Sequence, residues 1–89
     1  LYDAYPNPFN PSTKIGYELP YSMFVSLNVY DISGRLVRKL DNGFKNTGIH
    51  SVIWDGKDNF GNTVSNGLYI YRLDSDSDIS ISNKIIFMK

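Results

Sequence analysis

Asn66-Gly67-Leu68-Tyr69-Ile70-Tyr71-Arg72-Leu73 is the stretch on which the fold turns. Asn-Gly is a turn signal, because glycine enters positive φ at no steric cost and asparagine tolerates the same region. Leu68 to Leu73 then reads as a strand with Tyr69 and Tyr71 on its inward face. Gly67-x-Tyr69 has the form of a tyrosine corner, in which a tyrosine near a strand's start bonds through its hydroxyl to backbone across the corner. Tyr71, two residues on, stands where a disulfide-bonded sandwich would carry its second cysteine, and this chain has no cysteine. Trp54 is then the expected large ring at the centre of the core.

Outward from that stretch, the neighbouring segments alternate with period two, the mark of half-buried strands. Lys14 to Leu19 sets Ile15, Tyr17 and Leu19 on one face and Lys14, Gly16 and Glu18 on the other, and Pro20 stops it. Phe24 to Ile32 opposes Val25, Leu27 and Val29 to Ser26 and Asn28. Asp31-Ile32-Ser33-Gly34 reads as a turn, and Arg35 to Leu40 as the returning strand with Leu36, Arg38 and Leu40 on its apolar side. Asp41-Asn42-Gly43 and Asn46-Thr47-Gly48 read as turns around a short segment at Phe44. His50 to Trp54 is a strand, Thr63-Val64 a short one, and Ile79 to Met88 the last. No segment has a helical period. The expected fold is all-β: an immunoglobulin-like (fibronectin III-like) antiparallel β-sandwich of about seven strands over residues 13–89.

Residues 1–12 are expected to form a proline-rich extended entry segment. Pro6, Pro8 and Pro11 each remove a backbone donor and hold the preceding residue extended, which rules out a helix or a central strand. If the segment packs across the sandwich, Tyr5 and Phe9 are the expected anchors. If it reaches a neighbouring molecule, it adds to an open sheet edge, a route to self-assembly.

Composition limits the chemistry. Nine Lys plus Arg balance nine Asp plus Glu, which argues against a nucleic-acid or anionic-membrane partner. The absence of cysteine removes disulfides, thiolate metal sites and a cysteine nucleophile. The longest apolar run, Ile85 to Met88, is too short for a transmembrane segment. There is no initiator methionine or signal-peptide pattern, so the chain reads as a piece of something longer.

Candidate reactive groups each have a plainer use. His50 is the single histidine, but it shares a strand face with Val52 and Trp54, so catalysis is not expected. Asp55, Asp58, Asn59 and Asn62 are oxygen donors of the kind calcium takes, yet Lys57 interrupts the pattern, and turn capping by Asp and Asn serves as well. Asp74, Asp76 and Asp78 are a second calcium candidate, for which a solvated hairpin tip is the simpler reading. No metal and no cofactor are expected. Tyr17, Tyr69, Tyr71 and Trp54 point inward and Phe24 and Tyr30 outward, which leaves a sugar-stacking platform unsupported. Arg35, Arg38 and Lys39 read as a solvated strand face.

The order of motifs carries a resemblance. Tyr5-Pro6-Asn7-Pro8-Phe9-Asn10-Pro11 is followed by Ile15-Gly16-Tyr17-Glu18-Leu19-Pro20, Val29-Tyr30-Asp31-Ile32-Ser33-Gly34-Arg35, Trp54-Asp55-Gly56-Lys57-Asp58, Gly67-Leu68-Tyr69 and Lys84-Ile85-Ile86-Phe87-Met88-Lys89. This is similar to the C-terminal sorting domains (type A) of the bacterial type IX secretion system, a family related to the immunoglobulin-like domain of flagellar hook-capping proteins. The resemblance implies a non-catalytic address at the end of an exported protein, read by the outer-membrane secretion machinery and removed by a sortase-like peptidase. The location it implies is exported, from periplasm to outer-membrane surface or beyond. It assigns the signal to the last strand, here Lys84, Ile85, Phe87 and Lys89, with docking through that strand and the adjacent sheet edge. Pro6, Pro8, Pro11, Trp54, Asp55, Gly56, Asp58, Gly67 and Tyr69 are its structural positions. The alternatives are a structural or adhesive module retained in a surface assembly or filament, and an accessory carbohydrate-binding module.

Overall fold

Alternating apolar side chains can bury one face of each strand only against a second sheet, and the chain folds accordingly into two layers. A computed structural model describes residues 1–89 and contains six strands: β1 (Thr13–Leu19), β2 (Met23–Tyr30), β3 (Leu36–Lys45), β4 (Gly48–Trp54), β5 (Gly67–Ser75) and β6 (Ser80–Phe87). One sheet pairs β1 with β4, and the other has the order β3-β2-β5-β6, every pairing antiparallel. Ile15, Tyr17 and Leu19 of β1 and Val25, Leu27 and Val29 of β2 are buried, as their alternation requires. They meet Trp54, Tyr69, Tyr71, Leu73, Ile85 and Phe87 in one core. The chain is an all-β immunoglobulin-like sandwich with no helix.

The tyrosine corner is present. Tyr69 donates its hydroxyl to the Ser65 carbonyl at 2.6 Å, and its ring meets Trp54 edge-on with centroids 5.4 Å apart. Trp54 in turn donates its indole N–H to the Lys57 carbonyl at 3.0 Å, so the buried ring leaves no polar atom unpaired.

The strand count is six, because two expected elements are built differently. Asp41-Asn42-Gly43 is not a turn; β3 runs through it to Lys45. Asp41 accepts bonds from the Tyr17 hydroxyl and from Lys45, both at 2.9 Å, and Gly43 sits opposite Val25. Thr63-Val64 is no strand but a single bridge, Thr63 to Lys57. The apolar side of β3 is also shifted. Register breaks opposite Leu27/Asn28 and Val29/Tyr30 insert Leu40 and Val37 as extra residues. Both bulged residues pack against the core, whereas Leu36 is exposed. Arg38 is not simply solvated: it donates to Asp55 at 2.8 Å and to the Lys57 carbonyl at 3.1 Å.

Candidate functional site at the C-terminal strand

Strand β6 is held from beneath by two inward side chains. Ile85 and Phe87 are fully buried, while Lys84 faces outward opposite Ile70 and Lys89 lies beyond the strand's end. The backbone N–H of Lys89 donates to the Asn66 side chain at 2.9 Å, which ties the end of the chain to the corner before β5.

The free edge of β6 is not free along this stretch. Asn7 lays its side-chain amide against it, accepting from Ile86 N–H at 3.0 Å and donating to the Lys84 carbonyl at 3.3 Å. Phe9 continues the pairing in parallel sense: its N–H donates to the Ile86 carbonyl at 3.0 Å, and its carbonyl accepts from Met88 N–H at 3.1 Å. The Phe9 ring is buried between Trp54, at 5.1 Å, and Phe87, at 4.9 Å. Residues 1–12 therefore form a strap. Its first part pairs with β1 through Tyr2 to Gly16 and Tyr5 to Lys14, and its second part covers β6. The strap bridges the two sheets along one side of the sandwich.

Tyr71 fastens the strap from inside. Its hydroxyl accepts from Ala4 N–H and donates to the Tyr2 carbonyl, both at 2.9 Å. A phenol can do both only while protonated, and burial raises the Tyr71 pKa above the ordinary tyrosine value, partly offset by the Ala4 bond. Asn83 adds a bond to Asp3. The expected anchor Tyr5 is instead 81 % exposed; its backbone pairs with Lys14, so its neighbour Ala4 takes the inward position. Phe9 is an anchor as expected. Of the prolines, Pro6 offers its carbonyl to the buried Thr13 hydroxyl at 2.7 Å.

The loop after Trp54 completes this end of the domain. Gly56 has φ +74, and a Cβ there would sit 3.1 Å from the Phe87 ring, so glycine lets the loop cross the end of β6 without strain or crowding. Desolvation works to raise the Asp55 pKa, but bonds from Arg38 and from Lys57 N–H hold it below the usual carboxylate range. Asp58 accepts from Phe60 N–H at 2.9 Å and Asn62 N–H at 3.0 Å, which makes it a turn former. Asn59 pairs with the edge of β3, donating its N–H to Val37 and accepting from Lys39 N–H.

The remaining candidates are dispersed. No group of three or more carboxylate or histidine side chains converges as a metal site. Asp74 is bonded to Arg72 at 2.9 Å, away from Asp76 and Asp78 on the hairpin tip, where Ser75 caps the turn. The His50 ring stacks on Tyr17 at 5.3 Å, with Nε2 2.7 Å from the Asn46 carbonyl. The exposed Phe24 and Phe44 meet edge-on at 71° and offer no flat platform to a sugar ring. Tyr30 lies under the Arg72 guanidinium, 4.6 Å away. No local sequence pattern marks Asn7, Asp3 and Asn83 for these contacts, which join residues 77 to 80 positions apart.

Comparison with known proteins gives both a family and a fold. A family model described as the FlgD Ig-like domain matches residues 9–78. The basal-body rod modification protein FlgD of Salmonella typhimurium is 44% identical over 45 residues, covering 51% of this chain and 19% of that protein. FlgD of Salmonella typhi matches equally. The chain thus spans under a fifth of the length of these relatives. Among solved structures, dimeric latent PorU from Porphyromonas gingivalis aligns with TM-score 0.78 at 23% identity, over 97% of this chain and 9% of that one. PorZ, an essential surface component of the type IX secretion system of the same organism, aligns at 0.69 and 20%, over 98% of this chain and 11% of that one. FlgD from P. aeruginosa aligns at 0.65 and 30%, over 84% of this chain and 60% of that one. The PorU and PorZ likenesses speak for the fold. The sandwich, its tyrosine corner and the match over residues 9–78 place this chain in the family of FlgD Ig-like domains.

Proposed function

We propose that this member of the family is a non-catalytic sorting module of the type IX kind, carried on an exported protein and read at the C-terminal end of β6. The observation that carries the reading is the build of that strand. Ile85 and Phe87 fix it in the core, while Lys84 and Lys89 are presented outward at the end where the strap, the Gly56 loop and the corner meet. Its fold likeness to parts of PorU and PorZ supports the reading at the level of architecture. Because Asn7 and Phe9 occupy the edge, the secretion machinery reads outward side chains here, not a bare strand edge. A sortase-like peptidase would act upstream of the strap.

Truncating Lys84 to Lys89 is a poor test, since it also removes the buried Ile85 and Phe87. Lys84→Ala and Lys89→Ala are better. Each leaves the core intact, so each should fold normally by circular dichroism yet leave cargo unsecreted. Normal secretion of the folded double variant would refute the reading. One observation favours a second reading, a structural module retained in a surface assembly: the identity shared with FlgD, a basal-body rod modification protein. In that case the domain stays on the mature protein and the lysine variants are secreted normally.

A further inference from the structure

The formal charge is zero, yet the charges are unevenly spread, even though Arg72 and Asp74 pair across the middle. The row Asp41–Leu27–Leu73–Ile81 forms a waist across the larger sheet. On the Trp54 side lie all the basic side chains except Lys45, against four acidic ones, Asp3, Asp31, Asp55 and Asp58. From the waist to the other end, Lys45 stands alone with Glu18, Asp41, Asp74, Asp76 and Asp78. The molecule is elongated, 37 × 23 × 20 Å, with one half basic and the other acidic. Each pole also carries apolar side chains with little packed on them. Phe60, 89 % exposed, and Ile32, 75 % exposed, lie at the basic pole; Tyr21, Phe24 and Phe44 lie at the acidic one.

We propose that copies of this domain stack head to tail, the basic pole of one seated on the acidic pole of the next. A net-neutral chain meets no long-range repulsion from a second copy, and opposite poles then set the orientation of encounter. The occupant of each pole is the other pole of a second copy, which supplies both the opposite charge and an apolar surface. Lateral strand addition is hindered along the basic half, where the strap covers β6 and Asn59 covers β3. The contact is heterologous, so it leaves a free pole at each end of a pair and grows beyond two copies, into a ring or an open row.

Sedimentation velocity over a concentration series, at low and high salt, tests this. At low ionic strength the average mass should climb past that of a dimer. At about 0.5 M salt, where the screening length is only a few ångströms, it should return to monomer. Two variants then locate the contact. Asp76→Lys with Asp78→Asn spoils the acidic pole; asparagine tolerates the positive φ of 63° at position 78. Lys57→Glu with Lys89→Glu spoils the basic pole. Each alone, checked as folded by circular dichroism, should stay monomeric, and an equal mixture should form one-to-one pairs and nothing larger. A wild-type chain that is monomeric throughout, that stops at two copies, or that associates regardless of salt or of these substitutions overturns the proposal.

Discussion

Phe9→Ala is the perturbation that most exposes how the strap is held. The ring is 2 % exposed and lies within 5.1 Å of Trp54 and 4.9 Å of Phe87. Removing a buried phenylalanine ring costs about 3–5 kcal/mol through lost transfer energy and the cavity left behind. A domain of this length has roughly 4–13 kcal/mol in total. With a urea slope of about 1 kcal/mol per molar, the midpoint should fall by about 3–5 M, or the variant should be unfolded in water. Tyr71→Phe removes the hydroxyl that both Ala4 and Tyr2 use and leaves the Ala4 N–H unpaired, a cost of about 1–3 kcal/mol. Both changes loosen one element, so the double variant should lose less than the sum of the singles. Urea denaturation followed by Trp54 fluorescence reads all three. A Phe9→Ala loss below about 1 kcal/mol, or strict additivity with Tyr71→Phe, would refute the claim that residues 1–12 are a docked part of the sandwich.

Three further outcomes follow from the same contacts. Tyr69→Phe should cost about 1–2 kcal/mol by breaking the corner bond to Ser65, read by thermal or urea unfolding; an unchanged midpoint would remove the corner from the list of stabilising features. Gly56→Ala should destabilise by about 1–3 kcal/mol, since the position combines positive φ with close approach to Phe87; a neutral result in urea would show that the loop relaxes freely. Stability should fall at both ends of the pH scale. The Asp31 carboxyl, bonded by the Ser33 hydroxyl and then by Arg35 N–H, and the Asp55 carboxyl, bonded by Arg38 against its desolvation, are held low in the fold. The unfolded chain therefore binds more protons, and the stability these groups give above about pH 4 is lost as pH falls through their folded values. Tyr17, Tyr69 and Tyr71 are raised, chiefly by burial, so their contribution is present below about pH 10 and lost as pH rises through the folded values. Unfolding midpoints across pH check this, and Asp31→Asn with Asp55→Asn should flatten the acid limb.

The sequence was legible where alternation is uninterrupted. Ile15-x-Tyr17-x-Leu19 and Val25-x-Leu27-x-Val29 each face one way along an unbroken strand, and all six residues are buried. The corner was legible because glycine and tyrosine at that spacing serve a local contact, Tyr69 to Ser65. Strand β3 was not, since two bulges reset its alternation and Asp-Asn-Gly, ordinarily a turn, is carried inside it. In the strap, size misled. Tyr5 is large and points to solvent, whereas Ala4 is small and lies under Tyr71. The covering of β6 by Asn7 depends on residues 77 and 79 positions away, and no local pattern encodes such a pairing. In the candidate site, Ile85-x-Phe87 keeps the strand period and both residues are buried, whereas the occupied edge has no such local signal.

The sorting reading stands or falls on whether the domain survives export. Peptide mapping of the parent protein, taken separately from periplasm and cell surface of its native cell, answers this directly. A removable address predicts peptides from Leu1 to Lys89 in the periplasmic protein and their loss from the surface form. Their full recovery at the surface would contradict it and make the domain a lasting structural module.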